Sequence, residues 1–358
     1  MTLLPLTLTL GLLSSAPTQD PRRQDAASQV DALFREYNGS DVPGACVMVS
    51  RDSKVLFKKA YGMANLEEKT PATTATNYRI ASMTKHFTAM AVMILAERGK
   101  LSYEDTLAKF FPDFPAYGKA ITVRQLLNHT SGLIEYEGVI PAGTTRPLTD
   151  ADVLGLMKRQ DRTYFAPGSR FRYSNSGYAL LALVVEKASG AAFPEFLREN
   201  VLAPAGMKRS AFFGREDRTA PDRAYGYTKR SEGFDRTDQS LTSSVAGDGG
   251  LYASVDDLAK WDQALYSSKL VRPETLTLAF TPGAAVPDAT DTGYGFGWFI
   301  GRHNGTKVYW HRGSTVGFTS AISRFPDQKL TVIVLTNRNG ASLTTILDAI
   351  TDMYLADK

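Results

Sequence analysis

The chain has 358 residues, 43% hydrophobic and 22% charged, with 41 basic against 37 acidic side chains. At ~150 residues per domain, this is room for about two domains and at least one large core, and the mix excludes disordered, collagenous and disulfide-scaffold classes. A formal charge of +4 with no basic run longer than two residues leaves no footprint for nucleic acid. The single cysteine, Cys46, rules out an internal disulfide or a cysteine metal cluster, and the four histidines form no H-E-x-x-H pattern. No metal and no cofactor is expected.

Residues 1–16 read as a secretory signal: an apolar stretch from Leu3 to Leu13, then Ser14-Ser15-Ala16. The stretch is shorter than the ~20 residues a membrane span needs, although no basic residue precedes it. A periplasmic or secreted location is the resulting expectation, with residues 17–27 as a flexible linker. Two strands follow, Ala45–Val49 and Val55–Phe57, around an Arg51-Asp52-Ser53 turn. Phe87 to Ala96 is apolar nearly all round and stops at Gly99, which predicts a buried helix with a glycine cap. Tyr178 to Val185 predicts a second, ending near Gly190. Residues 206–247 are turn-rich and are expected to wrap the surface. After Gly250 strands return: 294–300, an Asn304-Gly305 turn, 307–313, then 318–325 and 330–335 around a Pro326-Asp327-Gln328 turn. Leu343, Ile346, Leu347, Ile350 and Tyr354 have helical spacing. The pattern predicts an α+β unit over 28–358. Residues 28–81 and 248–358 build one sheet, and 82–247 form a mainly helical region inserted across it.

Three motifs bear chemistry. Ser82-Met83-Thr84-Lys85 is the only Ser-x-x-Lys in the chain. At a helix start, positions i and i+3 share a face, so the Lys85 amine reaches Ser82 Oγ. A serine hydroxyl is a weak nucleophile until a neighbouring base takes its proton, and the free N–H groups of a helix start stabilise an oxyanion. The alternative is an N-cap serine beside a solvated lysine. Tyr173-Ser174-Asn175 is the only Tyr-x-Asn. Its phenol suits proton transfer, and its amide both donates and accepts. Alternatively, Tyr173 is a core aromatic and Asn175 a helix cap. His311-Arg312-Gly313-Ser314 closes a predicted strand, where a glycine lets substrate backbone come close. The backbone N–H groups of Ser82 and Ser314 are the expected oxyanion donors. His129 is expected to be structural, since no G-x-S-x-G elbow accompanies it.

In order and spacing these motifs resemble the serine β-lactamase/penicillin-binding-protein superfamily, most closely its class C-like branch. Leu126–Leu133, Gly247–Leu251 and Tyr294–Trp298 extend the resemblance to nearly the whole chain. It implies a β-lactamase/transpeptidase-like fold, a mainly antiparallel sheet flanked by helices with a helical domain beside it and the active site between them. It also implies Ser82 as nucleophile, Lys85 and Tyr173 as its partners, and Asn175, His311, Gly313 and Ser314 as substrate-binding residues. No Lys-x-Gly occurs, and His311 stands where most β-lactamases carry a lysine. A mostly neutral histidine gives up an ion-assisted hydrogen bond to a substrate carboxylate, worth ~1.5–3 kcal/mol. The expectation is therefore an ester or amide hydrolase of the esterase or D-amino-acid amidase kind, acting on a small-molecule or peptide-like acyl substrate. A β-lactamase or D,D-carboxypeptidase is the alternative within the fold, and a penicillin-binding sensor without turnover the alternative of another class. Oligomeric state is not legible in the chain.

Overall fold

The computed structural model describes residues 21–212 and 220–356; the signal segment 1–16 lies outside them. The stretch expected to be a linker is helical from Pro21, where α1 (Pro21–Leu33) begins. Strands β1 (Ala45–Arg51) and β2 (Lys54–Tyr61) follow. Next come α2 (Lys85–Glu97), α3 (Asp150–Lys158) and α4 (Asn175–Ser189). Two helices absent from the sequence reading, α5 (Val255–Ala264) and α6 (Pro273–Ala279), interrupt the C-terminal sheet region. Then come β3 (Ala284–Ala285), β4 (Gly293–Tyr294), β5 (Phe299–His303), β6 (Thr306–Thr315), β7 (Phe318–Phe325), β8 (Leu330–Thr336) and α7 (Leu343–Ala356).

These strands form one antiparallel sheet in the order β3-β4-β5-β6-β7-β8-β1-β2, so the two ends of the chain meet at β8 and β1. Cys46 lies opposite Leu335 and Val49 opposite Val332. Side chains alternate across a strand, and here both faces are covered. Val47, Val49, Val332 and Val334 pack with Val30, Leu347 and Ile350 beneath the terminal helices. Cys46, Met48, Ile333 and Leu335 point into the larger core shared with the helical region. That double burial explains the continuous apolar runs of β1 and β8.

The predicted strand 294–300 is split. Gly297, at φ +83°, turns the chain between β4 and β5, and a Cβ there would stand 2.8 Å from the Lys85 carbonyl. This turn therefore packs against the start of α2. Residues 206–247 do more than wrap the surface, since Met207, Ala224, Tyr227 and Val245 are buried in them. The buried helix ends as expected, with Gly99 at φ +67° and the N–H of Lys100 donating to the Leu95 carbonyl at 2.9 Å.

Candidate active site

Ser82 does not open α2. It sits in a 3-10 turn, Ala81–Thr84, that leads into the helix. Ala81 holds φ +48°, a left-handed conformation rare without glycine, and strain of this kind gathers at functional turns. The i, i+3 relation survives the change of helix type. Lys85 is fully buried, and its Nζ lies 3.3 Å from Ser82 Oγ, 2.8 Å from Asn175 Oδ1 and 2.8 Å from the Asp248 carbonyl. Three N–H directions meet three acceptors, the full complement of an ammonium. The solvated-lysine alternative is thereby excluded.

Asn175 is free for this task because Ser174 caps α4, its hydroxyl accepting from the Gly177 N–H at 3.2 Å. The backbone N–H of Asn175 donates to Glu135 Oε2 at 2.8 Å, and its side-chain Nδ2 to Glu137 Oε1 at 3.1 Å. The amide is thus fixed with its oxygen toward Lys85. Tyr173 lies partly buried with the Lys85 ammonium 4.9 Å from its ring centre. Its hydroxyl is buried and makes no hydrogen bond within the protein, so no bond joins it to Ser82 or Lys85 in the resting state. Catalytic hydrogen bonds are often formed only with substrate in place.

Across the cleft, β5 covers only Thr306–Trp310 of β6. Beyond Trp310, residues His311 to Thr315 pair with β7 alone. A Cβ on Gly313 would stand 2.2 Å from both the Ile80 carbonyl and Ser320 Oγ. Only glycine lets this strand close against the Ser82 turn, and Ser320 ties the two by donating to the same carbonyl at 2.7 Å. Ser314 and Thr315 line a cleft of about 50 Å³ with Ser82, Asn175, Glu137 and Asp248. A larger hollow of about 360 Å³ around Leu202 and Phe212 is not the site, because the Ser210 hydroxyl that lines it donates to a buried carboxylate, Asp257.

His311 does not reach the cleft surface: it is 1% exposed. Its Nδ1 donates to the Arg312 carbonyl at 2.7 Å, which leaves Nε2 to accept from the Tyr294 hydroxyl at 3.1 Å. Burial, then the nearby Lys85 charge, pushes its pKa down to about 3. It is a neutral ring on the same face of β6 as Gly313, its centre 6.1 Å from that of the Tyr173 ring but covered from solvent, and Arg312 faces the opposite side against Trp310 and Ser323.

Three further contributors were not singled out by the sequence. The Asp248 carbonyl is a backbone group and leaves no residue signature. The Asp248 carboxyl, raised by burial to about 7, accepts from the Tyr136 hydroxyl at 3.0 Å. Glu135 orients Asn175, and burial raises its pKa too. Tyr225 is not in the cleft lining but stacks with Arg223 and Arg236. Among the described residues no cluster of His, Cys, Asp and Glu could hold a metal, and no helix is long and apolar enough to cross a membrane.

Comparison with known proteins gives this arrangement a family. The beta-lactamase family model matches residues 30–352. Penicillin-binding protein 4* of Bacillus subtilis is 30% identical over 333 residues, covering 88% of this chain and 73% of that protein. Among solved structures, the octameric penicillin-binding protein homologue from Pyrococcus abyssi superposes with a TM-score of 0.80 at 32% identity, over 93% of this chain and 77% of its own. The D-amino acid amidase from Ochrobactrum anthropi SV3 shares the fold, with a TM-score of 0.80 at 22% identity over 94% and 99%. With its serine, lysine, tyrosine and asparagine set on a fold shared over nine-tenths of its length, the chain belongs to the beta-lactamase family.

Proposed function

We propose that the protein is a serine hydrolase that cleaves an ester or amide through an acyl-enzyme on Ser82. One observation carries this reading: the buried Lys85 amine sits 3.3 Å from Ser82 Oγ, locked there by two other acceptors. Ser82 Oγ attacks the substrate carbonyl as its proton passes to the Lys85/Tyr173 pair, which reacts in the form one proton short, with Lys85 a free amine or Tyr173 a phenolate. The Tyr173 hydroxyl, which has no bond to make within the protein, is the member free to exchange that proton. The backbone N–H groups of Ser82 and Ser314 receive the oxyanion. The pair then protonates the departing alcohol or amine. A water molecule attacks the acyl ester by the same route in reverse and frees Ser82.

The lining favours acyl donors without a carboxylate. Lys85 is saturated, His311 is neutral and buried, and Arg79 spends its guanidinium on Gly249 and Ser243. Among the described residues no uncommitted cation lines the cleft, whose exposed charge is Glu137. Short-chain esters and amino-acid amides fit this lining better than penicillins or peptide C-termini.

Ser82→Ala tests the reading. Hydrolysis of a short-chain p-nitrophenyl ester should fall to the uncatalysed rate, and no acyl adduct should appear by intact-mass spectrometry. Thermal unfolding should fall by no more than a few degrees, since the hydroxyl's bond to buried Lys85 is a long one at 3.3 Å. Hydrolysis persisting at the parent rate would refute it. A stable penicillin adduct on the parent protein with no turnover of any ester or amide would mark a sensor instead.

A further inference from the structure

His129 follows the short helix Val123–Leu127 and its cap Asn128, in a left-handed conformation at φ +61°. It is fully buried. Its carbonyl accepts from the Arg172 N–H at 2.9 Å, and its Nδ1 accepts from the Ser174 N–H at 3.0 Å. One residue thus holds the backbone immediately before and immediately after Tyr173. Its ring also lies against the Tyr173 ring, with centres 4.3 Å apart and planes inclined by 37°. Tyr173 is gripped at two peptide groups and one face. An Nδ1 that accepts carries no proton, so the ring is neutral. Burial, and then the Lys85 charge, hold its pKa well below the usual histidine value.

We propose that His129 is a positioning residue for catalysis, acting through Tyr173 by clamping the 172–174 backbone so that the phenol stays at the Ser82–Lys85 pair. The inference rests on the role given above to Tyr173. A core histidine that merely fills space would need neither backbone bond. Nor would it need a side-chain acceptor at Nδ1 while Nε2 goes without a partner.

The test is a double-mutant cycle. His129→Gly keeps the left-handed backbone and removes the acceptor and ring. His129→Asn tolerates that backbone and places Oδ1 where Nδ1 stood. Each is measured alone and with Tyr173→Phe, using ester turnover and, as a count of folded sites, the Ser82 adduct. His129→Gly should lower kcat ten- to hundred-fold per acylatable site with KM within about threefold, the loss expected of a reacting group displaced by ~1 Å. His129→Asn should recover most of it. In the Tyr173→Phe background neither change should alter the residual rate more than about twofold, because partners acting as a unit are non-additive. Equal losses in both backgrounds would overturn the inference while leaving the role of Tyr173 intact. Full activity of Tyr173→Phe alone would remove that role and the inference with it. Should His129→Gly not fold, His129→Gln replaces it, its amide one carbon too far to accept at the Nδ1 position. A rate for His129→Gln equal to that of His129→Asn would also overturn the inference.

Discussion

The two walls of the cleft are built on opposite principles. The helical wall is dense with directed bonds: Lys85 to Ser82, Asn175 and Asp248, and Asn175 in turn to Glu135 and Glu137. The sheet wall offers an open strand edge, a glycine and a histidine buried beneath the cleft surface. Reacting groups must be held to fractions of an ångström before substrate arrives, so their wall is pre-bonded. A wall that receives the acyl chain must keep its backbone groups uncommitted. Under the proposed function the difference separates chemistry from selection, and each side can be broken on its own.

The largest effect is expected at the seam between the walls. Gly313→Ala would drive a methyl to within 2.2 Å of the Ile80 carbonyl, so β6 must retreat from the Ser82 turn. The expected outcome is a fall in kcat/KM of about a hundredfold or more, with about 1–3 kcal/mol of stability lost to overpacking. Ester kinetics and urea unfolding check both. An alanine variant with parent kinetics would show that the walls need not touch.

The helical wall is next probed through Asp248. Its carbonyl, not its carboxyl, holds Lys85, so Asp248→Asn should keep ester turnover within about tenfold of the parent. Stability should respond instead. The folded carboxyl titrates near 7 because of burial, against an ordinary value of 3.8. Between about pH 4 and 7 the folded state keeps a proton that the unfolded state has released, so raising the pH through this window destabilises the parent. Asp248→Asn should remove that loss, gaining at most about 4 kcal/mol over the parent above pH 7 and little below pH 4. Denaturation midpoints from pH 4 to 8 measure it. The buried neutral His86, His129 and His311 work in the opposite sense, losing stability as pH falls below the usual histidine value, and they are common to both proteins.

What the sequence disclosed follows the same division. Ser82 and Lys85, or Tyr173 and Asn175, are close along the chain, so a local period places each pair on one face before any tertiary contact is known. The sheet strands were legible because alternation and the Asn304-Gly305 turn are local too, and β7 falls on its expected residues. Helix α1 was not legible, since of its described side chains only Ala26 and Val30 are buried and its apolar residues beyond them are few, mostly alanine. The linker reading failed there for that reason. The role of His311 depends on Tyr294, and the grip on Tyr173 on His129, 45 residues from the Ser174 it bonds. No spacing rule reports such contacts. Nor does any side-chain pattern reveal that the acceptor completing the Lys85 site is a backbone carbonyl.

The smallest effect is expected at His311, and it bears most directly on selection. The ring is buried, neutral and bonded at both nitrogens, so the sheet wall carries no charge. His311→Lys introduces a flexible four-carbon stem whose ammonium can extend along β6 toward the cleft rather than remain beside Lys85. Two buried ammonium groups together would oppose one another, and that repulsion drives the new one outward. Tyr294 loses the acceptor for its hydroxyl, at a cost of about 1–3 kcal/mol in stability. Carboxylate-bearing substrates, a cephalosporin or a D-Ala-D-Ala peptide, should gain about tenfold in kcat/KM relative to a neutral ester, the value of one charge-assisted bond in exchange for none. An unchanged ratio in a folded variant would mean that selection does not reside on the sheet wall, and that the anionic lining around Glu137 on the other side must be refusing the carboxylate.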